Sequence, residues 1–376
     1  MKPKKSKREL RIIFDTNAIF IGTASDLLRK EIVDLIESYS KLPDLTLQWY
    51  LPQVVVEERK FQMIKKGKEL LPSINKIEKL LGHNLNITED IIESRVIETV
   101  GKQIEKNNLK VIQIETSKID WDQLIKHSIY RLPPFEDNEK EKGFRDALIV
   151  ECIQHVVDCS PVTANICRLI FITNDHLLDE AVNERFAKRT NFRTLSSLEE
   201  LISLINILTA EIKEELINSI VDKVEKLFFT KDDDTSLYYK EKIYKTIIEK
   251  YSNELKLLPE SASRREDKTW FINKPGFVKK QNQRIHWRTV IEVEVKTYRK
   301  TYVPPQPESP LDFLTANKQS QDIVSVFAKT LASMKEDIFK EGRTKFEILW
   351  SITLTTTEQL INPKIEEVNY IETIWK

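Results

Sequence analysis

The sequence predicts an α/β protein: a doubly wound parallel sheet over residues 1–200, followed by helices and a small α+β C-terminal domain. Three observations carry this. Between residues 1 and 200, short apolar runs alternate with stretches whose apolar residues recur every three or four positions, the pattern of βα units with a covered parallel sheet. After Leu198 the spacing becomes purely helical. Beyond residue 284 long runs alternate with period two, as in antiparallel strands with one buried face.

In order, the strands of the first part are expected at 11–15, 45–51, 110–115, 168–174 and 191–195. Amphipathic helices are expected at 25–40, 53–70, 88–106, 138–158 and 176–188. Leu201, Leu204, Ile205, Leu208, Ile212 and Leu216 mark one face of a long helix; the run Lys231-Asp232-Asp233-Asp234 reads as a solvated break before a second helix at 236–257. Strands are expected at 284–302, at 345–354 and, shorter, at 365–375. Pro304, Pro305, Pro307 and Pro310 separate the first of these from a helix with Ile323, Phe327, Leu331, Met334 and Ile338 on one face. The resulting division is 1–200, a helical connector at 201–263, and 264–376.

With 376 residues, 40% apolar and 31% charged, the chain has material for two folded domains, at roughly 150 residues each, and is too apolar for a disordered one. Lys+Arg equals Asp+Glu, so the overall balance names no partner. No apolar run approaches the ~20 residues of a membrane span, and no signal-type apolar segment follows the basic start. Cys152, Cys159 and Cys167 lack paired spacing and read as buried thiols of a reducing compartment; the cytoplasm is the expected location. With only seven glycines, phosphate-binding glycine loops and dinucleotide fingerprints are excluded.

The chemistry resides in four acids. Asp15 closes the run Ile12-Ile13-Phe14, at the carboxyl end of a strand, where open α/β sheets bind ligands. Glu57 and Glu58 open a helix after Pro52-Gln53-Val54-Val55-Val56; Asp146 lies on the apolar face of the helix holding Ile149 and Val150; Asp175 ends Phe171-Ile172-Thr173-Asn174. Two like charges ~4 Å apart repel by about 4 kcal/mol at an effective dielectric near 20. Converging carboxylates therefore need protons, basic partners or hard divalent cations such as Mg²⁺ or Mn²⁺.

The segments Phe14-Asp15-Thr16-Asn17, Pro52–Glu58, Arg145-Asp146-Ala147-Leu148 and Thr173-Asn174-Asp175 resemble, in order and spacing, those of PIN-domain nucleases. The closest likeness is to larger bacterial PIN-like proteins in which an extended insert precedes the third acid. The resemblance covers about residues 1–200. It implies a doubly wound PIN-like fold, a Mg²⁺ or Mn²⁺ centre and hydrolysis of phosphodiesters, RNA favoured over DNA, leaving a 5′-phosphate and a 3′-hydroxyl. Carried onto this chain, it makes Asp15, Glu58, Asp146 and Asp175 the catalytic metal ligands, with Glu57 the rival of Glu58. Asn17, Thr173 and Asn174 would contact water or substrate, and Lys142 and Arg145 the scissile phosphates. Each residue has a plainer reading as well: Asp15 and Asp175 as helix caps, Asn17 in an Asx-turn, Asp146 paired with Lys142 one turn earlier. Asn174 before the last acid and the long 60–140 region depart from the commonest pattern.

A second nucleic-acid surface is suggested between Arg264 and Lys300, where eleven Lys/Arg face four Asp/Glu among Trp270, Phe271, Phe277, Trp287 and Tyr298. Basic groups release counterions and aromatics stack on unpaired bases. Lys274, Lys279, Lys280, Arg284, Arg288, Arg299 and Lys300 are the phosphate-contact candidates, with Trp287 placed in a strand core on the competing reading. The expectation is a metal-dependent endonuclease, with homo-oligomer or partner contacts through the C-terminal domain. The alternatives are a PIN-like RNA-binding or scaffold protein without catalysis and a single-strand or flap DNA nuclease.

Overall fold

The computed structural model describes residues 7–19, 26–42, 44–137, 142–210, 214–303, 333–355 and 358–375. They form two compact units, Met1–Ile212 and Lys213–Lys376.

In the first unit β1 (Arg8–Phe14) is followed by α1 (Thr16–Ile19), α2 (Lys30–Ser38), β2 (Leu45–Pro52), α3 (Gln53–Leu81), α4 (Glu89–Lys106), β3 (Leu109–Ile112), α5 (Trp121–Tyr130), α6 (Phe144–Asp158), β4 (Cys167–Ile172), α7 (His176–Arg185), β5 (Phe192–Leu195) and α8 (Leu198–Thr209). The five strands form one parallel sheet in the order β3-β2-β1-β4-β5. The chain builds outward from β1 to β3, then returns to the other side of β1 to lay down β4 and β5. The direction of winding thus reverses between β1 and β4, which leaves a crevice at their carboxyl ends. Strands buried on both faces carry continuous apolar runs: Ile12, Ile13, Phe14, Leu169, Ile170, Phe171 and Ile172 are all buried. Phe14 stacks on Trp49 of β2 at 6.0 Å between ring centres.

The second unit contains α9 (Glu214–Phe228), α10 (Leu237–Lys240), α11 (Ile243–Lys250), β6 (Arg264–Ile272), β7 (Gly276–Gln281), β8 (Arg284–Val303), β9 (Ser333–Leu354) and β10 (Leu360–Trp375). The sheet is antiparallel in the order β10-β9-β8-β6, with β7 also paired to β8. Period-two alternation puts Ile285, Trp287, Ile291, Val293 and Val295 of β8 into the core with Phe346, Ile348, Trp350 and Ile352 of β9. The helices cover that apolar side: Phe228 meets Trp350 at 5.2 Å, Tyr244 meets Trp270 at 4.7 Å and Tyr251 meets Phe346 at 5.7 Å between ring centres.

That cover explains where the observed division departs from the expected one. A sheet with one apolar face must bury it against another layer, so the helices after residue 213 belong to the C-terminal unit, whereas α8 packs on the first sheet. The long helix expected through Leu216 is likewise two helices, α8 and α9, and the one at 236–257 is divided into α10 and α11. Strands β6 and β7 and helix α5 carry too little periodicity to have been foreseen. The helix expected around 323–338 falls mostly outside the described residues, but its end is corrected: Met334 and Ile338 lie on β9. There, backbone pairing to β8 from Val303↔Ser333 onward overrides a spacing that also fits a helix. Cys152 and Cys167 are buried free thiols as expected; Cys159, at the end of α6, is exposed. No described helix is long and apolar enough to cross a membrane.

Candidate active site

Parallel pairing aligns the ends of β1 and β4, with Phe14 opposite Ile172, so Asp15 and Thr173 emerge side by side at the crevice. The Asp15 amide donates to the Ile172 carbonyl at 3.0 Å, and the Thr173 hydroxyl donates to Asp15 Oδ2 at 3.0 Å. Asp15 Oδ1 accepts from the Thr16 amide at 2.6 Å. Asp15 is only 2% exposed. Loss of hydration pushes its carboxyl up to about 6, against the downward pull of Thr173 and the amides of Thr16 and Asn17, with the charge of Asp175 adding to the rise.

Glu58 arrives from the next strand. β2 passes directly into α3, and burial of Val54, Val55 and Val56 against the sheet sets the phase of the first helical turn. Of the two rival acids, Glu57 points to solvent and pairs with Lys60 at 2.8 Å. Glu58 accepts from the Thr16 hydroxyl at 2.9 Å through Oε2, and Arg145 holds its Oε1. The adjacent Arg59 is turned the other way, buried and bonded to Gln62 and to the Asp26 carbonyl. Glu58 borders a groove of about 300 Å³ formed with Gln53, Val54, Glu57, Phe61, Ile114 and Arg145.

Asp146 sits in the first turn of α6, whose start is set by Gly143. That glycine has φ +109°, and a Cβ on it would lie 2.5 Å from the Pro134 carbonyl oxygen and 2.6 Å from Phe135 Cα. Only glycine combines such a φ with so close an approach. Asp146 takes no hydrogen bond or ion pair among the described residues, and the pairing with Lys142 is not made: Lys142 meets Glu136 at 3.2 Å. Burial first, then the negative charges of Asp15, Asp175 and Glu58, push the Asp146 carboxyl up to about 6, with Arg145 opposing. Asp146 is therefore within electrostatic reach of Asp15, Asp175 and Glu58 at one end of the sheet.

Asp175 caps α7, its Oδ1 accepting from the amides of Leu177 and Leu178 at 2.9 and 3.0 Å, so the capping alternative holds and engages that oxygen. Thr173 differs from its expected role of holding water or substrate. Its hydroxyl is spent on Asp15, and it also accepts from the Asp175 amide at 3.1 Å. Asn17 and Asn174 are exposed at the rim, as is His176. Two contributors escaped the sequence reading: Thr16, which ties Asp15 to Glu58, and Gly143. The visible signal for Gly143 was a glycine just ahead of an acid-bearing helix in a glycine-poor chain.

The donors around the crevice are oxygens alone, the set that suits hard divalent ions. Among the described residues, however, no three such side chains converge closely enough to hold an ion as they stand. Glu58 in this state has Arg145 on one oxygen and Thr16 on the other. A separate cavity of about 360 Å³ between α5, α6 and α7, lined by Leu124, Phe135, Val150 and Arg185 among others, includes none of the four acids.

In the second unit the aromatics expected to stack on bases are largely internal. Trp287 and Phe277 are 1% exposed and pack edge to face, Trp287 also stacks on Trp350, and Trp270 stacks on Phe346. This agrees with the core placement of Trp287 and turns Phe277 inward as well, away from a base-stacking role: the alternation that displays rings to a ligand on one face turns them into the core on the other. Several basic candidates have protein partners. Arg288 pairs with Glu347, Lys274 meets Glu225 at 3.7 Å, Arg284 donates to Ser351 and to the Asn362 carbonyl, and Arg299 lies over the Phe339 ring. Lys279, Lys280 and Lys300 are exposed and make no ion pair among the described residues.

The PIN domain family model matches residues 12–179, which span β1 through the start of α7 and contain all four acids. No curated protein and no solved structure gives a match to the chain. PIN domains are in general nucleases, and PIN nucleases in general use divalent metals. The family match, the switch-point crevice and the order of the acids agree: residues 12–179 carry a PIN domain, which lies in the first unit, and an additional antiparallel-sheet region follows it.

Proposed function

We propose that the protein is a metal-dependent endonuclease that hydrolyses phosphodiester bonds, RNA in preference to DNA. The observation that supports this reading is the placement of Asp15 and Asp146 at the β1/β4 crevice, both pushed up to about 6 chiefly by burial, with Asp175 adding to Asp15 and with Asp15, Asp175 and Glu58 adding to Asp146. Such a cluster costs free energy in the absence of a cation, and acids so perturbed in a cleft mark functional sites. Asp15, Glu58, Asp146 and Asp175 would hold Mg²⁺ or Mn²⁺. The ion, when bound, lowers the pKa of water and stabilises charge on the phosphoryl oxygens.

The chain's own groups then have defined tasks. Thr173 and the Thr16 amide fix both oxygens of Asp15 in one orientation. Thr16 links Glu58 to the same point, and Gly143 sets the start of the helix that carries Asp146. Asn17, Asn174 and Arg145 stand exposed around this set, where a phosphate backbone would pass. Localisation in the cytoplasm agrees with three free thiols. The proposed secondary contact to nucleic acid is through Lys279, Lys280 and Lys300.

The test is incubation of paired RNA and DNA strands of the same sequence with Mn²⁺ and, separately, with EDTA. RNA fragments bearing 5′-phosphates are expected only with the ion, and none from the Asp146→Asn variant of unchanged circular dichroism. Equal cutting by that variant would overturn the assignment. Retention of RNA with no metal-dependent fragments would favour the scaffold reading, and preferential cutting of DNA the flap-type reading.

A further inference from the structure

We propose that Arg145 is an exchangeable internal counterion: it neutralises Glu58 while the acid cluster lacks a dication and, once displaced by one, turns its guanidinium to the substrate phosphate. This rests on the metal-dependent reading above. The ion pair joins two separate elements, Arg145 on α6 and Glu58 on α3, and the two partners differ sharply in hydration. The Arg145 side chain is 66% exposed, that of Glu58 only 19%. Arg145 can therefore move into water with little desolvation change, whereas Glu58 left alone would be a poorly solvated charge. The pair is built so that Glu58 stays in place and its counterion leaves.

Among the described residues, the neighbouring cations of α3 and of the segment before α6 have their own partners. Lys142 is with Glu136, and Arg59 is buried with Gln62 and the Asp26 carbonyl. A divalent ion favoured by Asp15, Asp146 and Asp175 and Arg145 thus compete for Glu58, and displacement leaves an unpaired guanidinium one residue from Asp146. Guanidinium groups bind phosphate oxygens through paired N–H donors. Occupation of the acid cluster and capture of the strand become thermodynamically coupled, each strengthening the other.

The experiment uses the full chain and reads binding rather than turnover. Mn²⁺ affinity is measured by calorimetry, without nucleic acid, for the native protein, Arg145→Ala, Glu58→Gln and the double variant. Arg145→Ala should tighten Mn²⁺ about threefold to tenfold, between the effect of an exposed ion pair and that of a hydrogen-bonded charge. In the Glu58→Gln background the same substitution should change it by less than about twofold. A labelled 2′-O-methyl oligonucleotide provides the second readout. Mn²⁺ should strengthen its binding to the native protein and much less so to Arg145→Ala, although that variant holds the ion more tightly. Unchanged or weaker Mn²⁺ binding by Arg145→Ala, or tightening that persists without Glu58, overturns the counterion role and leaves the metal reading standing. Failure of the native protein to bind Mn²⁺ at all overturns both. Arg145→Lys, which keeps the charge but not the fork, should restore native Mn²⁺ affinity without restoring oligonucleotide binding.

Discussion

Replacing Asp15 with Asn should stabilise the metal-free protein at neutral pH while removing its activity. In the folded chain the Asp15 carboxyl is raised from 3.8 to about 6, so ionising it is harder in the native state than in the unfolded one. Below pH 4 it is protonated in both states and contributes nothing to the pH dependence. As pH rises from about 4 to about 6 the unfolded chain releases its proton first, and stability falls; above about 6 the full cost is present. At 1.36 kcal/mol per pKa unit, the cost approaches about 3 kcal/mol. Asn removes the charge, keeps an acceptor for the Thr16 amide and gives Thr173 a donor in place of an acceptor. The expected gain at pH 7.5 is therefore about 1–3 kcal/mol, or roughly 2–12 °C in Tm for a unit of this size. The assay is thermal unfolding in EDTA at pH 4, 5.5 and 7.5, comparing native and Asp15→Asn proteins. The gap should be near zero at pH 4 and largest at pH 7.5, and Mn²⁺ should raise the Tm of the native protein alone. A gap independent of pH, or a variant that melts lower at pH 7.5, would refute the view that Asp15 is a costly buried charge awaiting a cation.

Other substitutions probe the scaffold and the second unit. Gly143→Ala should cost about 1–3 kcal/mol, since it combines backbone strain with a collision at Pro134, and should slow cleavage at least about tenfold by moving Asp146. Gly82→Ala, at φ +62° with open space around it, is the control and should leave cleavage intact; equal losses in both would detach α6 placement from activity. Charge reversal of Lys279, Lys280 and Lys300 to Glu should weaken oligonucleotide binding and flatten its dependence on log salt by about 2, at roughly 0.7 per contact on a single strand. An unaltered salt slope would remove this face from the interface. Trp287→Ala should destabilise the second unit by about 3–5 kcal/mol in urea without weakening oligonucleotide binding where the variant is folded; a large loss of binding there would return the indole to a base-stacking role.

Much of the first unit was legible from local pattern. Short apolar runs such as Ile12–Phe14 and Leu169–Ile172, alternating with amphipathic helical stretches, point to buried parallel strands, and acids at their ends then fall at the sheet's carboxyl edge. The choice between Glu57 and Glu58 was open, because both lie in one helical turn; packing of Val54, Val55 and Val56 on the sheet decided which acid faces Thr16. The strand at 333–338 was hidden because period-two and helical spacings overlap in a short segment, and only its pairing with β8 distinguishes them.

The chain by itself determined the alternation that makes the parallel sheet and the four acids at its strand and helix ends, because periodicity and residue type are local properties. Which charges feel one another was settled by tertiary structure alone: Asp146 gains Asp15, Asp175 and Glu58 as neighbours from three other parts of the fold, and Glu58 its arginine through the meeting of α3 and α6. The same holds for Trp287, Phe277 and Trp270, whose side of the sheet is dry only because the helices after residue 213 cover it. Burial and electrostatic coupling are sums over groups distant in sequence, and no local window contains them.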